Sequence, residues 1–341
     1  FDSEISRFTN EDSIDMHSAL RLSDALELEL PAKASVYTSV PRKSRHHFIH
    51  LCGLLVLSQF GTALSCGYSD VRVIEPVQAF NLSGCFKVNL AGQHIGDVGA
   101  LELARALRRS TAVQFLDLSN NRIGAEGAKA LFNALEANSV LTELNIAGNN
   151  IGASGADAIA KMLKVPTVVL KHLDLSRNHI CEEGGKALSD ALVRNKVLAT
   201  LNLYMNSLTD VGAIAMADAL VVNTAVTELQ LGSNQIGEIG ATAIGEVLKV
   251  NRVLQHLDLR FNWIGLQGSD ALVEALKVNE VLIELHLPWT GMSLSSALAI
   301  IQVVQSSCVL KKCDLQGNEL LDFELILKKI VRNCKSFELI V

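Results

Sequence analysis

Hydrophobic and polar residues follow one pattern that recurs along most of the chain. The pattern is L-x-x-L-x-L-x-x-N-x-I-G, and its clearest copies read VQFLDLSNNRIG, LTELNIAGNNIG, VTELQLGSNQIG and LQHLDLRFNWIG. Successive copies are 28 residues apart, with one interval of 29, and they start at Cys85, Val113, Leu141, Leu170, Leu198, Val226, Leu254, Leu282 and Leu310. A truncated copy, FELIV, starts at Phe337. A constant period of this length indicates a stack of repeated structural units.

Each copy predicts one short strand followed by one helix. The L-x-L core, for example Leu116 and Leu118, alternates between two faces as a strand does. After the I-G pair, apolar residues recur at helical spacing, as at Ala128, Leu131 and Leu135. One unit cannot bury its own apolar face, so the units must share a core. We expect a parallel sheet on the inner wall and helices on the outer wall, curved because a helix is wider than a strand.

Asparagine and glycine recur at fixed positions of the repeat, and a structural role is expected for each. Asparagine occupies the ninth position in most copies, where it can bond the backbone of the turn and form an asparagine ladder inside the core; the series is Asn121, Asn149, Asn178, Asn206, Asn234, Asn262 and Asn318. Glycine recurs early in each predicted helix, for example at Gly127 and Gly155. A residue without a side chain there predicts close approach of neighbouring helices.

The consensus L-x-x-L-x-L-x-x-N-x-I-G-x-x-G-A-x-x-L-A-x-A-L resembles the ribonuclease-inhibitor-like class of leucine-rich repeats. It is similar to the repeat domains of NOD-like receptors and of the GTPase-activating protein for Ran. The resemblance covers about three quarters of the chain. It implies an α/β leucine-rich-repeat horseshoe solenoid over 85–341, with nine repeats and a truncated C-terminal cap. Proteins of this class have many functions, so the resemblance does not name one.

Charge and cysteine content narrow the range of partners. The formal net charge is −6 and no long run of Lys or Arg occurs, which argues against a nucleic-acid partner because phosphate neutralisation dominates that affinity. The chain has 7 cysteines and no C-x-x-C pair. Cys85 and Cys313 stand where the repeat wants an aliphatic residue, so we interpret the cysteines as small apolar side chains rather than metal or redox groups.

The first 84 residues do not repeat, and we divide them into three segments. Residues 1–47 form an N-terminal extension with a short amphipathic helix over 11–30, residues 48–67 a predicted transmembrane helix, and residues 68–84 a linker or N-terminal cap. Residues 48–67 read FIHLCGLLVLSQFGTALSCG, and 20 helical residues span about 30 Å, the thickness of a bilayer core. Basic residues precede them at Arg42, Lys43 and Arg45, as expected at a membrane flank.

Three interpretations of residues 48–67 compete. A membrane anchor fits the length and the basic flank, and it would place the chain in a single-pass, organellar (mitochondrial or plastid) membrane with lipid around 48–67. A cleavable targeting segment fits the small residues Ala63-Leu64-Ser65. A helix that caps the first repeat in a cytoplasmic protein is the third, because a solenoid needs its end covered. We expect the anchor.

Candidate chemistry lies on the inner wall. Outward positions of neighbouring predicted strands bring together Asp258, His286 and Asp314, and beside them Glu228, His256 and Glu284. A metal or acid–base site is conceivable there, but charge pairing between neighbouring strands explains the same pattern. We therefore predict no catalytic residue, no cofactor and no metal, and we expect no enzyme.

A sharper candidate is a set of bulky residues at the ends of the predicted strands. Aromatic residues make up only 5% of the chain, yet several fall at outward positions where a binding patch would show them. The candidate partner-binding residues are Tyr204, Met205, Phe261, Trp263 and Trp289, with Pro288 beside them. The alternative is that these side chains pack on one another where Thr290 replaces the ladder asparagine.

These observations predict a non-enzymatic scaffold or accessory subunit of an organellar membrane complex. Its partners would be other protein subunits, bound through the inner wall and the N-terminal extension. The alternative is a soluble leucine-rich-repeat regulator of the GTPase-activating or signalling-adaptor type, with an apolar segment that only caps the stack.

Overall fold

The fold is described from a computed structural model, which covers residues 65–67, 72–74, 79–82, 84–307, 309–318, 320, 327–328 and 337–341. These residues belong to one compact unit, Thr62–Val341.

A parallel sheet runs through this unit, with one strand for each repeat. Its strands are β1 (Ser65–Gly67), β4 (Lys87–Asn89), β5 (Phe115–Asp117), β6 (Glu143–Asn145), β7 (His172–Asp174), β8 (Thr200–Asn202), β9 (Glu228–Gln230), β10 (His256–Asp258), β11 (Glu284–His286), β12 (Lys312–Asp314) and β13 (Glu338–Ile340). From β4 to β13 the strands pair in chain order, each with the equivalent residues of the next repeat. A separate antiparallel pair, β2 (Arg72–Ile74) and β3 (Ala79–Asn81), precedes the first repeat. The predicted parallel sheet is confirmed.

Each strand from β4 to β11 is followed by a helix, and the helices of neighbouring repeats pack on each other. In the described residues these are α1 (Gly96–Leu107), α2 (Ala125–Leu135), α3 (Gly152–Leu163), α4 (Cys181–Arg194), α5 (Thr209–Val222), α6 (Glu238–Leu248), α7 (Gly265–Leu276) and α8 (Leu294–Ser306). The middle residue of each repeat strand is buried against the helices, and the two flanking residues point outward. We call the surface formed by these outward residues the strand face.

Recurrent glycines lie where one helix meets the next. A Cβ atom added to Gly155 would stand 3.1 Å from the Cβ atom of Ala128 in the preceding helix, and one on Gly240 would stand 2.9 Å from that of Ala213. Distances this short leave no room for a side chain, so the predicted close approach of neighbouring helices is confirmed.

The asparagine ladder is also present. In a typical step, the side-chain Oδ1 of Asn234 accepts hydrogen bonds from the backbone N–H groups of Asn206 (3.0 Å) and Leu208 (3.3 Å) in the preceding repeat. Its Nδ2 group donates to the carbonyl oxygen of Leu203 at 2.8 Å. These side chains are buried, and each one joins the turn of its own repeat to the turn before it.

The predicted membrane localisation is wrong. Among the helices of the described residues, none has both the length and the apolar character needed to cross a bilayer. At the C-terminal end of the predicted span, Ser65–Gly67 is not helical but forms β1, which pairs in parallel with Lys87–Asn89. Hydropathy alone misled the prediction, because an apolar run can supply a strand of a sheet as well as a helix. Residues 48–64 lie outside the described residues.

The features predicted for the N-terminal extension lie outside the described residues as well. This applies to the predicted helix over 11–30 and to the basic residues Arg42, Lys43 and Arg45. One interpretation of the cysteines needs correction: Cys85 is buried as expected, but its sulfur is in a disulfide bond. Cys313 is free and buried, and burial, together with the charge of Asp314, raises the pKa of its thiol.

Candidate partner-binding site

The turn that leaves each strand has an unusual backbone at the eighth position of the repeat. Every residue there, from Gly92 to Gly317, has a positive φ between 54° and 70°. Glycine and asparagine adopt this left-handed conformation readily, and the chain uses them in four repeats, at Gly92, Asn120, Gly148 and Gly317. Side chains with a bulky Cβ substituent are disfavoured there.

Three repeats nevertheless carry a large apolar residue at this position. They are Met205, Phe261 and Trp289, with φ of 56°, 55° and 55°. Their side chains are not buried: 45% of Met205, 48% of Phe261 and 60% of Trp289 is exposed, and the nearby Trp263 is 75% exposed. We call these four residues the aromatic loop patch.

The two tryptophan rings lie against the backbone of the next repeat. A Cβ atom added to Gly317 would stand 2.4 Å from the ring atoms Cδ2 and Cε2 of Trp289, and one added to Gly291 would stand 3.8 Å from the ring of Trp263. One face of each ring therefore rests on a glycine, while most of the Trp263 side chain and more than half of that of Trp289 remain in solvent.

The other two candidates are less exposed. Tyr204 is half-buried. A Cβ atom added to Gly232 would stand 2.8 Å from Cδ2 of Tyr204 and 2.8 Å from Cγ of Arg260, so both side chains lie against this glycine. Pro288, expected to point outward, is buried. Its carbonyl oxygen accepts a hydrogen bond from the N–H of Phe261 at 2.8 Å, so Pro288 holds the backbone of the Phe261 turn and is not part of the exposed surface.

Thr290 changes the turn that carries Trp263. In the preceding repeat, Ile236 donates its N–H to the Oδ1 atom of Asn262, whereas Ile264 must donate to the backbone oxygen of Thr290, at 3.2 Å. Trp263 also leaves the left-handed region that Gln235 occupies at the equivalent position. The break in the asparagine ladder thus coincides with the most exposed tryptophan.

Carboxylates dominate the strand face beside the patch. From β9 to β13 the outward residues include Glu228, Asp258, Glu284, Asp314 and Glu338. Two basic side chains there are paired: Arg260 Nε lies 2.6 Å from Asp258 Oδ2, and Lys312 Nζ lies 3.9 Å from Glu338 Oε2. The sequence predicted two groups of neighbours, Asp258, His286 and Asp314, and Glu228, His256 and Glu284, and the strand register places the members of each group on adjacent strands.

Two histidines lie within the carboxylate group. Glu284 Oε2 is 3.4 Å from His286 Nε2 and 3.6 Å from His256 Nδ1, and His286 Nδ1 is 3.8 Å from Asp314 Oδ2. Partial burial acts to raise the pKa of Glu284, but the hydrogen bond with His286 and the charges of His256, Lys312 and His286 outweigh it and lower that pKa. Within the part of the chain that is described, no group of His, Cys, Asp and Glu is placed to hold a metal ion.

The comparisons with known proteins agree with this architecture. Residues 109–132, 137–160, 169–189, 194–217, 222–245 and 250–273 match a family model described as Leucine Rich repeat. None of the curated proteins compared matches the chain.

A solved structure shows a similar fold. The leucine-rich repeat-containing protein LegL7 from Legionella pneumophila is 20% identical, with 75% of this chain and 82% of LegL7 covered and a TM-score of 0.51. The tropomodulin C-terminal domain from Caenorhabditis elegans is 17% identical, with 45% of this chain and 92% of that domain covered and a TM-score of 0.38. The actin-binding site 2 of leiomodin-1 is 18% identical, with 69% of this chain and 95% of that chain covered and a TM-score of 0.29. The repeat pattern, the stacked strands and helices, and the match to the family model together show that the chain has a leucine-rich-repeat fold, with leucine-rich repeats matched between residues 109 and 273.

Proposed function

We propose that the chain is a protein-interaction module whose partner binds the aromatic loop patch and the adjoining strand face. Leucine-rich repeats generally serve as interaction modules, and the described residues contain no cluster suited to a metal. Of the two functions inferred from the sequence, we favour the regulator or signalling adaptor. The membrane-subunit hypothesis depended on a membrane localisation that the described residues contradict.

The observation that carries this proposal is the backbone strain at the patch. A bulky residue in the left-handed region costs about 1–2 kcal/mol. The chain places Met205, Phe261 and Trp289 there, and it does not recover the cost by burying them. Four of the other repeats meet the same backbone requirement with glycine or asparagine, and the remaining two with Arg177 and Ser233. Strain that the fold does not need is typical of residues retained for binding.

We predict that replacing the strained aromatic residues weakens binding without loss of stability. We would replace Phe261→Asn and Trp289→Gly, which are residue types that the chain itself uses at the eighth position. Relief of the left-handed strain should leave the free energy of unfolding unchanged or raise it by about 1 kcal/mol. Binding of partners selected by the wild-type chain from a peptide display library should fall at least about tenfold, since aromatic anchors dominate interfaces.

Arg177→Asn provides the matched control. Arg177 is exposed, has a φ of 56° and occupies the eighth position of a repeat outside the patch. The same backbone relief should therefore occur without loss of binding. Partners that bind the double variant as tightly as the wild-type chain would overturn the proposal, as would a double variant that unfolds more easily, which would make the aromatic residues structural.

A further inference from the structure

We infer that the segment bound at the aromatic loop patch is cationic, presenting arginine or lysine side chains to the tryptophans and to the carboxylates of the strand face. The inference rests on the proposed function and adds the chemical class of the partner. It is argued from charge complementarity between the patch and its surroundings.

The aromatic residues supply the first part of the argument. Trp263 and Trp289 each rest one ring face on a glycine backbone and expose much of the rest of the ring. Tryptophan is the aromatic residue that attracts cations most strongly, and arginine stacks on it with little loss of hydration. A flat ring supported from behind is ready to receive a guanidinium group without rearrangement.

The strand face supplies the second part. Any segment that covers Trp289 and continues along the sheet meets Glu284 and Asp314, which lie in the adjoining strands β11 and β12. An apolar segment would remove these carboxylates from water without replacing their hydrogen bonds, and an acidic segment would be repelled. Because Arg260 and Lys312 are already paired with Asp258 and Glu338, the remaining charge favours a cationic partner.

The chain carries its own optical probe for the test. It has 2 tryptophans in all, and both lie in the patch. We would titrate the full chain with a Gly-Ser peptide that carries arginines and record tryptophan emission, alongside otherwise identical peptides with glutamates or glutamines. We expect the arginine peptide to bind at least about tenfold more tightly than either. Trp263→Phe and Trp289→Phe assign the signal to each ring.

Two charge variants separate this inference from general attraction to an acidic protein. Glu284→Gln with Asp314→Asn should weaken the arginine peptide about threefold to tenfold. Glu143→Gln with Asp117→Asn changes the same two strand positions at β5 and β6, away from the patch, and should have little effect. Equal binding of the three peptides, or equal effects of the two variant pairs, would overturn the inference. In that case, the loss of library-selected partners by the Phe261→Asn, Trp289→Gly variant would still support the patch as a binding site. The two proposals can therefore fail independently.

Discussion

At the scale of single residues, buried amide side chains hold the turns in place. Besides the ladder, a second asparagine series joins the ends of the helices: Nδ2 of Asn251 donates to the carbonyl oxygen of Leu220 at 2.8 Å. Oδ1 of Asn251 accepts from the N–H groups of Val253 and Leu254. The members of this series are Asn138, Asn195, Asn223, Asn251 and Asn279. Turn groups that water cannot reach are thus bonded by side chains.

Removal of one ladder asparagine should therefore cost much more than removal of an exposed amide beside it. Asn234→Ala leaves the buried N–H groups of Asn206 and Leu208 without their acceptor. We expect the free energy of unfolding to fall by about 2–5 kcal/mol in urea titrations. Gln235→Ala removes an exposed amide from the same turn and should change it by less than about 1 kcal/mol. Similar losses in the two variants would contradict this account of the ladder.

At the scale of secondary-structure elements, helix spacing is set by what faces each glycine. A Cβ atom added to Gly245 in α6 would stand 2.8 Å from the carbonyl carbon of Ala271 in α7. A Cβ atom added to Gly185 in α4 would meet the Cδ2 atom of Leu208 at 2.9 Å. A backbone atom cannot yield without moving a helix, whereas the end of a leucine side chain can rotate away.

Two alanine substitutions test this difference. Both replace a helical glycine, which by propensity alone should stabilise each helix by about 1 kcal/mol. We expect Gly185→Ala to keep part of that gain, and Gly245→Ala to lose about 1–3 kcal/mol because α7 must shift. Thermal unfolding measured by circular dichroism is sufficient to rank the two variants. A destabilisation of equal size in both would show that helix spacing does not depend on the atom that the glycine faces.

At the scale of the whole molecule, each repeat contacts mainly the repeats beside it. The strands pair with a constant offset of one repeat, as Thr200 pairs with Glu228 and His256 with Glu284. The ladder bonds have the same offset. Stability in such a stack is approximately the sum of terms within repeats and terms between neighbours.

Excision of one whole repeat should therefore leave a folded, shorter stack. Deletion of 226–253 removes 28 residues and brings Asn262 into the place of Asn234, so that its Oδ1 can accept from the turn of Asn206. We expect one cooperative unfolding transition with a lower midpoint. Deletion of 226–239 removes only half a repeat, including strand β9, and leaves the apolar residues of α6 without a strand beneath them. This variant should bind a hydrophobic dye, and two deletions that give equally stable shorter stacks would contradict the whole repeat as the unit of folding.

The repeating fold could be predicted from the sequence because nine repeats share the same pattern of apolar residues, asparagine and glycine. A pattern that is weak in one repeat becomes reliable when it recurs at a constant spacing. The second asparagine series also recurs every 28 residues, from Asn195 to Asn279, but it was not predicted because it lies outside the strand motif. The strain at Phe261 could not be predicted, since φ depends on the turn and not on the residue type. Pro288 was wrongly predicted to be exposed, because its spacing along the strand does not show how the neighbouring turns pack around it. The disulfide at Cys85 was not predicted, because this cysteine occupies a position where the repeat has an aliphatic residue.

The ladder bonds run in one direction along the chain. The Oδ1 atom of Asn149 accepts the N–H groups of Asn121 and Ile123, and that of Asn234 accepts those of Asn206 and Leu208, so these turns are completed by the repeat that follows them. At Asn178 the Oδ1 atom accepts no such bond. A ribosome delivers the earlier repeat first. During synthesis, the newest turn outside the exit tunnel must therefore wait for one more repeat to emerge before its amides are bonded, and native structure should trail translation by about one repeat.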